Sequence, residues 1–160
     1  MDKYLYFLRH ATAEVIRPNQ LDIDRCLIEK GRLQARRVAA FMQRHGITAE
    51  TVLSSSYPRA VQTAAIACKE AGFAAASEQA WLALETPTDI AYSHLTEQLN
   101  TLPAHSLLVG HEPDFSALIS RLLGSDKLLL NIRKSSLTCI GFCNESGRFE
   151  LQWSVPARFM

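Results

Sequence analysis

Two histidines, His10 and His111, stand at the ends of short apolar segments whose composition is typical of buried strands. Residues 4–8 read YLYFL and lead into Arg9 and His10, and residues 106–109 read SLLV and lead towards His111. A side chain at the end of a strand is held rigidly, and an imidazole there can act near neutral pH as a nucleophile, as a general acid or base, or as a metal ligand. One such histidine would be ambiguous. Two of them, with an arginine beside one, indicate a reactive site.

A third cationic group, Arg59, lies in the first turn of a predicted helix that begins at Pro58. A cation at this position opposes the positive end of the helix dipole, at a cost of roughly a few tenths of a kcal/mol. A bound phosphate would remove the conflict, because the helix N–H groups, the hydroxyls of residues 54–56 and the planar guanidinium can all donate to one phosphoryl group. Arg9 offers a second guanidinium. The residues alone leave open an exposed arginine that is tolerated at this small cost.

Composition limits the classes of partner. The chain has 160 residues with 17 Lys and Arg against 16 Asp and Glu, a formal charge of +1, so there is no overall electrostatic case for binding nucleic acid or an anionic membrane. Its length predicts one domain spanning residues 1–160. The longest apolar run near the start, residues 4–8, is far too short for a signal peptide, and we expect the protein in the cytoplasm.

Motifs of other enzyme classes are absent: the chain has no GxSxG elbow, GxxxxGK phosphate loop, GxGxxG turn or HExxH helix. The four cysteines form no CxxC pair, so neither a disulfide framework nor a zinc knuckle is indicated. His111, Glu112 and Asp114 resemble a set of metal ligands, but Pro113 between them indicates the start of a helix whose dipole Asp114 serves. We therefore expect neither a metal nor a cofactor.

The elements that position these residues alternate between strands and helices. This order predicts an α/β fold, a single layered domain with a mainly parallel central sheet flanked by helices and a C-terminal hairpin at the sheet edge. In such sheets ligands bind beyond the carboxyl ends of the strands, where Arg9, His10, His111 and residues 54–56 should gather. Strands are predicted at residues 4–8, 51–53, 106–109, 136–142 and 149–155, a weak strand or extended segment at 80–84, and helices at 31–44, 58–72, 88–102 and 113–124.

Four segments carry a resemblance to the histidine phosphatase superfamily. Residues 8–11 (LRHA) resemble its RHG signature, residues 54–64 (SSSYPRAVQTA) resemble SSxxxRAxQTA, and residues 109–113 (VGHEP) resemble its second-histidine motif. Residues 25–35 are similar to the stretch that often reads RxLTxxGxxQA. The short length and the GHEP form look most like the SixA-type phosphohistidine phosphatases.

The chain departs from the family pattern at two positions, where Ala11 replaces the usual glycine and Ile28 replaces the usual threonine. A glycine that served a positive φ or a close phosphate approach could not be replaced by Ala11 without strain. Because the rest of the constellation is complete, we expect the backbone at Ala11 not to require a positive φ. The alternative is that the protein lost its activity when Ala11 replaced the glycine.

The resemblance implies that His10 attacks phosphorus and becomes phosphorylated, while Arg9, Arg59 and His111 neutralise the phosphoryl oxygens. His10 must then be neutral, and His111 would serve an anionic ligand better when protonated. A phosphoester leaving group needs a general acid, for which Glu85 is the nearest candidate, with a surface loop residue as the alternative reading. A phosphohistidine leaving group can take its proton from solvent.

Three functional readings follow from the resemblance. The first is a phosphohistidine phosphatase whose substrate is a signalling or phosphocarrier protein, acting in signal transduction as a monomer. The second is a small-molecule phosphomonoesterase with the same site, and the third is a catalytically weak module that recognises phosphate. Because the longest connection, residues 11–30, leaves little chain for a lid, the site is predicted to be open. Lys134 is either a further phosphate ligand or an exposed lysine.

Overall fold

The apolar segment around Phe7 forms the central strand of a six-stranded sheet in the structure, a computed structural model that describes residues 1–160. The strands are β1 (Lys3–Arg9), β2 (Thr51–Ser54), β3 (Ser77–Glu78), β4 (His105–Gly110), β5 (Leu137–Cys143) and β6 (Arg148–Val155). Their order across the sheet is β3-β2-β4-β1-β5-β6. The first four in this order are parallel neighbours, and β5 and β6 form an antiparallel hairpin at the edge. The predicted α/β fold with its C-terminal hairpin is confirmed.

Helices cover both faces of this sheet. They are α1 (Glu29–Arg44), α2 (Pro58–Ala71), α3 (Thr88–Gln98) and α4 (Asp114–Leu122). Alternate residues of β1 point to opposite faces, so that Tyr6 and Leu8 pack with α1 and α2 while Leu5 and Phe7 pack with α3 and α4. Burial on both faces explains why the segment is apolar at every position rather than at alternate ones. No helix is long and apolar enough to cross a membrane.

The segment at residues 80–84, predicted as a weak or extended strand, is not a strand. Residues Ala80–Leu82 form a 3₁₀ turn, and the strand β3 lies earlier and has only two residues, both exposed. Trp81 and Leu82 are apolar because they are buried in the same cluster as α3 and α4. Since β3 pairs only with the end of β2, it has no apolar pattern that a sequence could show.

The helix ends differ from the sequence prediction by at most four residues, and α3 and α1 illustrate the difference. Helix α3 ends at Gln98, before the predicted limit of 102, and the chain continues in turns. Helix α1 begins at Glu29, two residues before the predicted start, so that Gly31 is in its first turn. A Cβ atom at Gly31 would lie 2.1 Å from the carbonyl oxygen of Thr12, which shows how closely the connection after β1 packs on the helix. Glycine at this position therefore serves packing rather than helix propensity.

Candidate active site

The carboxyl ends of two neighbouring parallel strands place His10 beside His111. Arg9, the last residue of β1, is in register with Gly110, the last residue of β4, and each histidine follows directly. The backbone N–H of His10 donates to the carbonyl of Gly110 at 2.9 Å. The two imidazole rings are 5.2 Å apart between centroids. The sequence prediction that these histidines meet at the sheet edge agrees with this placement.

The hydrogen bonds of His10 define which ring nitrogen is free. Its Nδ1 lies 2.8 Å from the carbonyl oxygen of Ala11, which can only accept, so Nδ1 carries the proton and Nε2 carries the lone pair. The Nε of Arg59 donates towards this Nε2 at 3.4 Å. Burial, followed by the positive charges of Arg59 and Arg9, lowers the pKa of His10 to about 4. His10 is therefore neutral at pH 7, as a nucleophile must be.

His111 is held by the loop that follows β2. Its Nε2 lies 2.7 Å from the hydroxyl oxygen of Ser55, and its Nδ1 is buried without a hydrogen-bond partner. Burial, and after it the nearby His10 and Arg59, lower the pKa of His111 to about 3. Burial and these neighbouring groups thus favour the neutral imidazole, whereas the sequence argument expected a protonated His111 beside a bound anion. An arriving dianion would reverse part of this shift by adding negative charge beside the ring.

Arg59 is almost fully buried, with 3% of its surface exposed. Its guanidinium donates to the backbone carbonyl of Asp22 at 2.8 Å and to the Asp22 carboxylate at 2.9 Å. The other arginine of the set, Arg9, donates from its Nη1 to the carbonyl of Ile132, and its Nε is buried without a partner. The structure therefore brings Arg59 to His10 as predicted and provides in Arg9 a buried donor that is free to bind an anion.

Asp22 contacts the site and was not singled out from the sequence. It lies in a 3₁₀ turn (Asp22–Asp24) within the long connection between β1 and α1, and its carboxylate also binds Arg25 at 2.9 Å. Hydrogen bonds from Arg25 and then Arg59 hold the pKa of Asp22 below its usual value. The carbonyl and the carboxylate of Asp22 thus accept from two nitrogens of the Arg59 guanidinium. No pattern in the sequence distinguishes Asp22 from Asp24, because the turn is irregular and short.

The site is also less open than the sequence predicted. The exposed fractions of His10, Arg59 and His111 are 7%, 3% and 1%. The connection between β1 and α1, predicted to leave the site open, instead places the turn at Asp22 against Arg59. Asp22 therefore occupies Nη1 and Nη2 of Arg59, while the Nε of Arg59 faces His10.

Ala11 fits its position without backbone strain. It is not among the residues with positive φ, which agrees with the expectation from the sequence. Its N–H donates to the hydroxyl of Thr63 at 3.0 Å, and its methyl group is fully buried against Ala13 and Leu27. The neighbouring Gln62 accepts a hydrogen bond from the N–H of Leu27. Gln62 and Thr63, both in the second motif, thus hold the loop that follows His10 by hydrogen bonds to its backbone.

The Glu85 side chain forms no hydrogen bond with Arg9, His10, Arg59 or His111. It is exposed, has a φ of 69°, and its backbone N–H donates to the Asp114 carboxylate at 2.8 Å. Burial, followed by Glu112 and Glu85, raises the pKa of Asp114 above its usual value, although the bond from the Glu85 N–H opposes this. A role of Glu85 as a general acid remains a prediction.

No group of three or more His, Cys, Asp or Glu side chains is close enough to hold a metal ion. The groups that meet at the site are one imidazole nitrogen with a lone pair, a second imidazole and two guanidinium groups. Guanidinium and imidazole donors can stabilise a transferring phosphoryl group, and a neutral imidazole nitrogen can act as a nucleophile.

The family described as the histidine phosphatase superfamily (branch 1) matches residues 5–83, which contain His10 and Arg59. The chain is therefore similar to the histidine phosphatase superfamily over about half of its length. The protein histidine phosphatase SixA, solved with tungstate, superposes on it with a TM-score of 0.87 at 20% identity over 98% of both chains. The SixA protein from Agrobacterium tumefaciens does so with a TM-score of 0.82 at 22% identity, over 98% of this chain and 99% of that one.

A mycobacterial glucosyl-3-phosphoglycerate phosphatase solved with VO3 has a TM-score of 0.77 at 17% identity, over 94% of this chain and 98% of that one. No curated protein matches the chain in sequence. Similarity at these identities shows the fold. Because phosphatases named for a protein histidine and for a sugar derivative share this fold, the substrate has to be argued from the site.

Proposed function

We propose that the protein is a phosphohistidine phosphatase, which removes phosphate from a histidine of a signalling or phosphocarrier protein through a phosphorylated His10. The observation that carries the proposal is the neutral, buried imidazole whose Nε2 lone pair faces the guanidinium of Arg59 at 3.4 Å. A nucleophile beside a fixed positive charge is the arrangement that phosphoryl transfer requires.

The reaction we propose has two in-line displacements. The Nε2 of His10 attacks phosphorus, a new P–N bond forms, and the P–N bond to the substrate histidine breaks. The released imidazole takes a proton from water. A water molecule then attacks phospho-His10, so that inorganic phosphate leaves and Nε2 regains its lone pair. In both steps Arg9, Arg59 and His111 offset the charge on the phosphoryl oxygens.

The leaving group favours phosphohistidine as the substrate. No carboxylate forms a hydrogen bond with His10 or His111, and Glu85 is exposed. An alkoxide leaving group would need a protonated acid close by, whereas an imidazole with a pKa of about 6.5 can be protonated by solvent at neutral pH. The absence of a carboxylate hydrogen-bonded to either histidine therefore supports a P–N bond as the one that is broken.

One observation favours the second candidate, a small-molecule phosphomonoesterase. Burial raises the pKa of Asp114, which lies three residues after His111 and binds the N–H of Glu85. A carboxyl group that holds its proton more firmly than usual is the kind of acid that an ester leaving group needs. Glu85 is the acid that the sequence suggested for the same reaction. If it serves the ester leaving group, Glu85→Gln is expected to lower ester hydrolysis more than phosphohistidine hydrolysis.

Turnover on four substrate types tests the proposal. We expect kcat/KM to be higher for a phosphohistidine-bearing protein than for free phosphohistidine, a sugar phosphate or an aryl phosphate. Efficient sugar-phosphate hydrolysis together with an inert phosphohistidine protein would replace the proposal with the phosphomonoesterase.

His10→Ala tests the nucleophile. The variant should keep the far-ultraviolet circular dichroism of the wild type and lose turnover, because the substitution removes a strand-end side chain without opening the core. Rapid quenching in alkaline denaturant, which preserves a P–N bond, should trap labelled phosphate on the wild type and none on the variant. If neither protein traps label and neither turns over any substrate, the chain is a phosphate-binding module instead of an enzyme.

A further inference from the structure

A groove of about 840 Å³ beside the site is lined by basic side chains from separate parts of the chain. They come from the end of β1, from α1, from the segment before β5 and from the C-terminal 3₁₀ turn (Ala157–Phe159). We call this feature the basic groove, and its cationic members are Arg9, Lys30, Arg37, Arg133, Lys134 and Arg158.

The basic groove contains no acidic residue and no ion pair. None of its lining residues is Asp or Glu, and none of its six cations lies within 4.0 Å of a carboxylate. Elsewhere the arginines Arg17, Arg25 and Arg121 are all paired with acids. The whole chain has 17 basic and 16 acidic residues, so composition does not explain this concentration. The fold collects unneutralised charge at one place, which costs stability unless an anion binds there.

The basic groove adjoins the candidate active site at Arg9. Arg9 belongs to both, since it lines the groove and immediately precedes His10. Thr12 and Gln34 form the adjoining wall, where Gln34 accepts hydrogen bonds from the N–H and the hydroxyl of Thr12 at 2.9 Å. Ser135, directly after Lys134, donates its N–H to the carbonyl of Arg9 at 3.1 Å. A ligand in the groove would therefore begin next to the reacting phosphoryl group.

The character of the side chains indicates a macromolecular ligand. Five of the six cations are exposed, without hydrogen bonds to hold them in one place, as in the polar rim of an interface. A pocket for a second phosphate on a small substrate would instead need convergent, buried donors. Exposed charges of one sign act at long range, raising the rate of encounter with a partner of opposite charge. Six cations also exceed what one additional phosphate could neutralise.

We propose that the basic groove docks an acidic segment of the phosphohistidine-bearing substrate protein and so selects for protein substrates with glutamate or aspartate near the phosphohistidine. The inference rests on the proposed function, because the groove lies beside the phosphohistidine of a substrate protein only if the site dephosphorylates one. Specificity would come from charge around the rim, and chemistry from the buried residues behind it.

Two synthetic phosphohistidine peptides test the proposal. One carries several glutamates beside the phosphohistidine and the other carries glutamines at the same positions. At low salt we expect the wild type to bind the glutamate peptide about tenfold more tightly and to hydrolyse it with about tenfold higher kcat/KM. High salt should reduce both ratios towards one, because exposed charges are screened.

Matched charge reversals separate the groove from net charge. The variant Arg37→Glu/Arg158→Glu should bring the binding ratio of the two peptides close to one, since neither side chain bonds to the catalytic groups. The control Lys69→Glu/Arg148→Glu makes the same change in net charge at the end of α2 and the start of β6. Both residues are exposed, and neither lines the groove. The control should keep the tenfold preference.

The two proposals fail in different ways. Failure of the wild type to hydrolyse either peptide would reject the proposed function, and hydrolysis of both without any preference in binding would reject the groove alone. Loss of the preference in the control variant would also reject the groove. A labelled oligodeoxythymidine that binds the wild type more tightly than the glutamate peptide, and binds the groove variant weakly, would overturn the assignment in favour of nucleic acid.

Discussion

Acidification should destabilise the protein because two buried histidines are held neutral. Burial lowers the pKa of His10 to about 4 and that of His111 to about 3, whereas both titrate near 6.5 in the unfolded chain. Between these values the unfolded chain binds more protons than the folded protein. The free energy of unfolding therefore falls as the pH drops through the window from about 6.5 to about 4, and is unaffected by these groups above it.

The size of the effect follows from the same values. Between pH 7 and pH 5 the linkage relation gives a loss of about 2 kcal/mol for each histidine, so about 4 kcal/mol for the pair. This is a large part of the roughly 5–15 kcal/mol of a typical domain. The raised pKa of Asp114 acts in the opposite direction, because the folded protein then binds a proton more firmly at this carboxyl than the unfolded chain does.

Urea unfolding at pH 7 and pH 5 measures this loss, in buffers free of phosphate and sulfate because an anion in the site would raise both imidazole pKa values. His10→Gln/His111→Gln should abolish most of the difference between the two pH values. The control His45→Gln removes an exposed histidine at the end of α1 and should preserve it. If the wild type and the double variant lose equal stability on acidification, the two histidines are not held neutral by burial, and the argument for a neutral His10 nucleophile fails.

Three further substitutions have defined outcomes. Arg59→Lys should lower kcat/KM about a hundredfold or more, because it keeps the charge but loses the guanidinium fork beside the nucleophile; unchanged kinetics would place Arg59 outside the reaction. Asp22→Asn should tighten vanadate binding, measured by calorimetry, by about fivefold or about 1 kcal/mol, because it removes the carboxylate that competes for the Arg59 guanidinium. The control Asp24→Asn should leave vanadate binding unchanged. Weaker binding by Asp22→Asn would show that Asp22 instead positions Arg59. Gly31→Ala should lower the free energy of unfolding by about 1–3 kcal/mol, since its methyl group would overlap the carbonyl of Thr12, and a variant as stable as the wild type in urea would contradict that close contact.

The sequence by itself determined the parts of the site that lie at the ends of regular elements. Apolar runs mark β1 and β4 as buried strands, and the residue that follows each run is His10 or His111. Pro58 marks the start of α2 and so places Arg59 in its first turn. These signals are local, because hydrophobic periodicity and helix starts are encoded by neighbouring residues. Parallel strands then bring their carboxyl ends to one edge of the sheet.

Only the tertiary structure decided what irregular segments do. Asp22 reaches Arg59 from 37 positions away through a turn that has no periodic pattern, and its carboxylate narrows a site that the sequence predicted to be open. The sequence likewise did not locate β3, because a two-residue edge strand has no pattern of its own. It assigned the segment around Trp81 to a weak strand or extended segment, because an apolar 3₁₀ turn resembles a short buried strand in composition. The basic groove is assembled from four distant segments in a chain of almost balanced charge. Its position depends on the path of the backbone between elements, which is set by packing across the whole domain rather than by the residues adjacent in sequence.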